Sequence, residues 1–347
     1  MNRRRIRSDV TAAPARRTAT RRRAPRVPAT MRAAVLDRFG RPEVLTLGVV
    51  PVPALAPSEV LIAVHTAGVG SWDADMREGW WPDGERPGFP LVLGTDGSGT
   101  VAAVGSRVRR FRLGERVYAY SFANPTGGFY AEYAAVAADN VGRPPASLSL
   151  AEAGAVPTTG LTAIQGVHGV LQVRRGEAVV IHGAAGGVGS LALQFAKMRG
   201  ARVLATASGR EAIAFVRQLG ADAAVDGRRD DLAAAALAFA PGGVDAVLAF
   251  AGGKPLTRLL DGVRHGGRIA FPNGVEPAPR KRRGISVESY DATPGVRQFE
   301  RLGVAIAAAR LEVPIAASYP LAQAAKAHAR LAKPHVLGKI VLRVRDR

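Results

Sequence analysis

The stretch His182–Ser190, "HGAAGGVGS", constrains the fold of this chain more than any other segment, because of what flanks it. Before it runs "EAVVIHGA" (177–184), a compact β-branched apolar run that reads as a buried strand. After it Val188, Leu191, Ala192 and Phe195 recur at helical spacing and draw one apolar face, and Gly200 suits the position just past the helix end. A strand, a tight glycine turn and a helix leave free backbone N–H groups and a positive dipole end at the turn. Small residues at Gly183, Gly186 and Gly189 let the chain turn sharply and let a pyrophosphate approach the backbone. Their spacing is shifted from the usual dinucleotide fingerprint, and the alternative is a tight strand–helix turn without a ligand.

The surroundings favour the dinucleotide. From about Ala151 onward strand and helix patterns alternate: "ARVLATAS" (201–208), a helix "EAIAFVRQLG" (211–220), then strand candidates "AAVD" (223–226), "VDAVLAF" (244–250), "GRIAFP" (267–272) and "ISVESYDAT" (285–293). Such βαβ alternation specifies an α/β fold with a doubly wound parallel sheet. Met31 to about Leu150 reads differently. Short strands such as "VLIAVHTAGV" (60–69), "GSGTVAAVG" (97–105) and "ERVYAYS" (115–121) are broken by Gly and Pro, as in an antiparallel, barrel-like domain. The end of the chain predicts helices near 296–311 and 320–333 and a strand "GKIVLRV" (338–344) that returns to the first domain.

Composition removes several chemistries. The chain has no cysteine, which excludes disulfides, thiol nucleophiles and cysteine-ligated metals. Its six histidines form no paired ligand spacing, so no metal site is expected. No apolar run reaches the ~20 residues of a membrane-crossing helix, and the expected location is cytoplasmic. The net charge is +20, and residues 1–30 hold ten arginines against Asp9 alone. That tail has almost no large apolar residues and is expected to be disordered. It reads as a basic arm for nucleic acid, a transit peptide, or an upstream extension before folding begins at Met31; the last is favoured, since no aromatic stacking platform or secretory apolar region accompanies it.

The second strand of the alternating region ends "ATASGRE". Binders of NAD usually place an acid at that tip to hold the ribose 2′-hydroxyl. Ser208 stands there instead, with Arg210 two residues on, and a hydroxyl and a guanidinium suit the 2′-phosphate of NADPH. Ser208-x-x-Glu211 is also a capping box for the following helix, and Arg210 alternatively an exposed helix-start residue.

Six segments together carry a resemblance: "AGVGSWDADMREG" (67–79), "GTDGSGTVAAVG" (94–105), "TGLTAIQGV" (159–167), "HGAAGGVGSLALQFAK" (182–197), "ATASGRE" (205–211) and "GKIVL" (338–342). In order and spacing they resemble the zinc-independent quinone oxidoreductase, or zeta-crystallin-like, family of the medium-chain dehydrogenase/reductase superfamily. The resemblance implies a GroES-like β-barrel catalytic domain over 31–150, a Rossmann NADPH-binding domain over 151–296, and a return to the catalytic domain over 297–347. It implies a homodimer or dimer-based oligomer joined through the edges of the Rossmann sheets. The implied activity is hydride transfer from NADPH to a quinone or other conjugated carbonyl, an enone. Two further readings are an enoyl-thioester reductase and a low-turnover NADPH-binding protein with a regulatory or RNA-binding role.

Carried over residue by residue, the resemblance puts Ala185, Gly186, Gly187, Val188 and Gly189 around the cofactor, with Thr159 and Lys339 beside them. Ser208 and Arg210 face the ribose. Ala251 and Gly252 of "FAGG" and Phe271, Asn273 and Gly274 of "FPNG" face the nicotinamide half. Asp73, Arg77, Trp81 and Tyr130 fall to the substrate cleft. Zinc-dependent relatives carry a cysteine ligand where this chain has Gly70 and a histidine ligand where it has Thr95. Without zinc nothing strongly polarises an alcohol, whereas hydride addition to an electron-poor quinone or enone remains open. Departures from the quinone oxidoreductases are Gly70 for asparagine, and Asp75 and Trp81 for tyrosines. Alternatives stand beside several assignments. Arg77 steadies an oxyanion or pairs with Asp73. Trp72, Trp80 and Trp81 wall a flat substrate or pack under their loop, Trp81 having the better functional case. Tyr130 and Tyr133 are candidate proton donors, and Lys339 is alternatively an exposed edge-strand lysine.

Overall fold

The computed structural model describes residues 27–345 apart from 83 and 85–87. The expectation for the basic tail therefore lies, for residues 1–26, outside the described residues.

The catalytic domain opens with β1 (Thr30–Leu36), paired antiparallel with β2 (Thr46–Pro51). The long strand β3 (Glu59–Val69) follows and runs straight into α1 (Ser71–Arg77). Next come β4 (Leu91–Val92), β5 (Asp96–Val104), β6 (Arg116–Tyr120), β7 (Tyr133–Ala137) and β8 (Val141–Gly142). Their inward residues, among them Ile62, Val64, Val117 and Phe129, form one buried apolar cluster. Two short helices lead out of the domain. Helix α2 (Leu150–Gly154) starts at a capping box in which Ser149 Oγ accepts from Glu152 N and Glu152 accepts from Ser149 N; α3 (Pro157–Ile164) starts at a proline, whose missing N–H costs nothing there.

The second domain alternates β9 (Ala178–His182), α4 (Gly187–Met198), β10 (Arg202–Ala207), α5 (Arg210–Gln218), β11 (Ala223–Asp226), α6 (Leu232–Phe239), β12 (Val244–Ala249), α7 (Lys254–Leu259), β13 (Val263–Pro272) and β14 (Ser286–Tyr290). All strand pairs are parallel, in the order β11-β10-β9-β12-β13-β14. The chain winds outward in one direction from β9 to β11, then returns to the other side at β12. That reversal opens a crevice beyond the strand ends, where α/β sheets bind their ligands. The helical face predicted for α4 is the one that is buried: Leu191, Ala192 and Phe195 pack with Ile181 and Val203 of the sheet. Each such side chain contributes about 1.5–3 kcal/mol of transfer free energy.

The chain then returns through α8 (Val296–Ala309), β15 (Ile315–Pro320), α9 (Ala324–Leu331) and β16 (Lys339–Arg343). β16 pairs antiparallel with the end of β3, Val69 opposite Ile340, and carries β15 on its other edge. The predicted return strand is therefore part of the catalytic sheet. Just before it, Gly338 N donates to Ala185 O at 2.9 Å, which ties the catalytic domain to the glycine turn. Among the described residues no helix is long and apolar enough to cross a membrane.

Candidate functional site

The glycine turn has the form its sequence requires. Gly183 takes a φ of +82°, which side chains disfavour. A Cβ on Gly189 would come within 2.8 Å of Ala184 Cα, so only glycine lets α4 start this close to the strand it follows. Gly186 precedes α4 as its N-cap with no side-chain cap, so the first N–H groups of a twelve-residue helix remain free for a ligand. Beyond the turn lies a cleft of about 330 Å³. Its walls are the ends of β9, β10 and β12, contributing His182, Ser208 and Ala251, and the segment 334–337 from the catalytic domain. Arg228, just past β11, reaches the same cleft. Thr206 Oγ1 accepts from Gly183 N at 3.1 Å and shares a hydrogen bond of 2.8 Å with His182 Nδ1. Burial pulls the His182 pKa down to about 4.

Where the cleft meets the catalytic domain, three buried polar atoms have no partner among the described residues: Asp96 Oδ1, Thr158 Oγ1 and Lys339 Nζ. The lysine runs past Gly68, whose Cβ would lie 3.0 Å from Lys339 Cε, and past Gly187, whose Cβ would lie 3.4 Å from Lys339 Cδ. Its Nζ ends 4.6 Å from the centre of the Trp72 ring. Thr159 Cγ2 also faces Gly187. A buried ammonium without a hydrogen-bond partner is costly. One placed beside the free N–H groups of α4 matches the charge of a pyrophosphate, so these residues fit a dinucleotide.

Behind this junction lies a fully enclosed network. Asp73 Oδ1 accepts from Thr95 N at 3.1 Å and Thr95 Oγ1 at 2.8 Å, and its Oδ2 accepts from Gly70 N at 2.9 Å and Tyr130 OH at 3.3 Å. Arg77 Nη1 lies 2.9 Å from His328 Nδ1, and His328 Nε2 lies 3.0 Å from the Tyr130 hydroxyl. Arginine has no acceptor, so it must donate to Nδ1. The remaining proton of His328 is then on Nε2 and points at Tyr130, and the tyrosine proton goes to Asp73. The chain of donation runs in one direction from α1 through α9 and back to α1. Burial, then Arg77, pull the His328 pKa down to about 3. Burial pushes the Asp73 carboxyl up to about 6, with Lys339 acting against it.

The two positions at which zinc-dependent relatives hold a metal thus converge on a carboxylate: Gly70 and Thr95 both donate to Asp73. A Cβ on Gly70 would overlap the Trp72 ring. Among the described residues, no three His, Asp or Glu side chains gather in a way that could hold a metal ion.

Family models match both domains: residues 56–146 match the alcohol dehydrogenase GroES-like domain, and residues 219–342 match the zinc-binding dehydrogenase domain. The quinone oxidoreductase of Sus scrofa is 33% identical over 305 residues, covering 84% of this chain and 91% of the relative. The chain belongs to the quinone oxidoreductase-like family of the medium-chain dehydrogenase/reductase superfamily. Solved structures agree in fold. An NAD-dependent alcohol dehydrogenase superposes with a TM-score of 0.83 at 32% identity, covering 91% of this chain and 100% of that one. A mycobacterial protein complexed with NADPH gives 0.79 at 28% identity, covering 90% and 99%. An oxidoreductase with a pyridine nucleotide cofactor follows from the family and from the cleft.

Within this oxidoreductase the predicted site residues separate into groups. Ala185, Gly186, Ser208, Ala251 and Gly252 line the cleft, and Gly187, Thr159 and Lys339 meet at its inner end. Val188 packs partly on the domain core. Phe271 is buried in a second core cluster; Asn273 is exposed and donates to Asp291, and Gly274 is exposed beside it. Arg210 is exposed on the first turn of α5, outside the residues that line the cleft. Asp73, Arg77 and Tyr130 belong to the enclosed network, and Trp81 packs against the catalytic core. Trp80 is exposed against Phe122.

Two expectations need correction. Ser208 and Glu211 form no capping box: the N-cap of α5 is Gly209, with a φ of +89° and no side-chain cap, and Gly209 N donates to Asp226 Oδ2 instead. Arg77 does not pair with Asp73. It binds Glu78, Gly40 O and His328, and reaches Asp73 only through His328 and Tyr130. Residues of the site that the sequence did not single out are His182, Arg228 and His335. Arg228 had a signal, since it follows the third strand at the end facing the ribose. His335 had none, because a loop of the other domain brings it there.

Proposed function

We propose that this oxidoreductase transfers hydride from NADPH to quinones or other conjugated carbonyls without a metal ion. The supporting observation is the conversion of the metal position: Gly70 and Thr95 are tied to Asp73, and the Trp72 ring fills the space a ligand side chain would need. The cofactor supplies a hydride, and with one proton from solvent a quinone becomes a hydroquinone. The chain's own residues bind, orient and exclude water. Lys339 meets the pyrophosphate charge. Ser208 and Arg228 meet the ribose end, and their hydroxyl and guanidinium favour a 2′-phosphate. The carboxylate of Asp226, which would repel that phosphate, already accepts from Gly209 N and Arg228 N. β14 is one of the two outer strands of its sheet among the described residues and is the edge at which a homodimer would form. The test is oxidation of NADPH and of NADH with phenanthrenequinone, on protein analysed for zinc. Turnover with NADPH preferred and no stoichiometric zinc is expected. Equal or better use of NADH overturns the cofactor reading, and stoichiometric zinc overturns the metal-free one.

A further inference from the structure

Trp72 fills the space beside Gly70, yet its ring has a second face. It stands on the first turn of α1, half-buried, and its Nε1 has no partner among the described residues. Two glycines make room for it and its neighbour. Gly70 leaves space for the indole and Gly68 leaves space for the Lys339 stem, so ring and ammonium lie side by side at the end of β3. The Lys339 Nζ sits 4.6 Å from the ring centre and has no hydrogen-bond partner among the described residues. Asp96 Oδ1 also faces Gly68 without a partner, yet no ion pair joins it to Lys339.

We propose that the indole face of Trp72 is the platform on which this enzyme stacks a flat acceptor, and that Lys339 covers the face until phosphate charge draws the ammonium away. The proposal rests on the quinone reductase reading above. An electron-rich indole offers its face equally to a cation and to an electron-poor ring, so ammonium and quinone compete for it. The lysine stem already passes Gly187 at the start of α4, so Nζ can swing toward the phosphate cradle without movement of β16. A charge-assisted hydrogen bond to phosphate is stronger than an ammonium resting on a ring. Lys339 therefore leaves the indole when the cradle fills, and the acceptor face opens. Flat polycyclic quinones gain most from it, because they cover more of the ring than a single-ring quinone does.

The chain has three tryptophans, so the full-length W80F/W81F variant reports on Trp72 alone. Its fluorescence is titrated with phenanthrenequinone, with and without NADP⁺, which binds but cannot donate hydride. NADP⁺ alone is expected to change the Trp72 emission, and saturable quenching by the quinone is expected to be about tenfold tighter in its presence. Equal quenching with and without NADP⁺ overturns the cover. In steady state W72L is expected to raise the KM for phenanthrenequinone about tenfold and that for benzoquinone less than about threefold, whereas W72F, which keeps a flat ring, stays within about threefold for both. Turnover by the unaltered protein without saturable quenching of Trp72 overturns the platform and leaves the reductase reading standing. Saturable, NADP⁺-dependent quenching without any turnover overturns that reading and leaves the platform.

Discussion

Lowering the pH from about 7.5 to about 5 should destabilise this protein through two neutral histidines, His328 and His182. Both are held neutral by burial, and His328 also by Arg77, whose guanidinium can only donate to its Nδ1. Their pKa values fall from 6.5 to about 3 and about 4. A depressed pKa means that the unfolded chain takes up the proton first. The stabilisation is complete above 6.5 and is lost as the pH falls toward the folded value. At about pH 5 each histidine then costs about 2 kcal/mol. Asp73 acts in the opposite sense. Its carboxyl is raised from 3.8 to about 6, so the folded state holds that proton more tightly, and the contribution is present at low pH and lost as pH rises through 6. At about pH 5 it returns about 1 kcal/mol, leaving a net loss of about 3 kcal/mol. Urea denaturation at the two pH values measures the difference. H328Q removes one of the two titrations while keeping an acceptor for Arg77 and a donor for Tyr130, so its loss between the two pH values should be about 2 kcal/mol smaller. Equal stability of the unaltered protein at both pH values, or an unchanged loss in H328Q, refutes the one-way hydrogen-bond chain.

Three further outcomes follow from the same contacts. Y130F strands the His328 Nε2–H and takes one of four donors from Asp73, and should cost about 1–3 kcal/mol in urea denaturation at neutral pH. R228Q should weaken NADPH about tenfold and leave NADH within about twofold, read by equilibrium titration of each cofactor. K339M removes the ammonium beside the free N–H groups of α4, so the affinity for NADPH should fall about tenfold, read by equilibrium titration.

Much of the nucleotide domain was legible because each of its signals is local. The β-branched run before the turn became β9, the helical face of Leu191 and Phe195 became the buried face of α4, and Gly200 took the left-handed position after the helix with a φ of +78°. The strand candidate 223–226 coincides with β11. The capping reading at Ser208 failed for a local reason too: Gly209 enters α5 with a positive φ and hands its N–H to Asp226, a residue on the neighbouring strand. The junction between domains was less legible. Asp73 and Arg77 share a helix, yet their partners are Thr95, Tyr130 and His328, brought together from the segments before β5 and β7 and from α9. No spacing along the chain records such a meeting. The role of Gly70 was visible only as a missing ligand, whereas the structure gives it as space that Trp72 occupies.

That shared space binds the histories of positions 70 and 72. A cysteine or asparagine introduced at 70 collides with the indole, while a smaller residue at 72 opens a hole above two glycines and leaves an ammonium with nothing to rest on. Each single replacement passes through a poorer protein, and only the two together are tolerable.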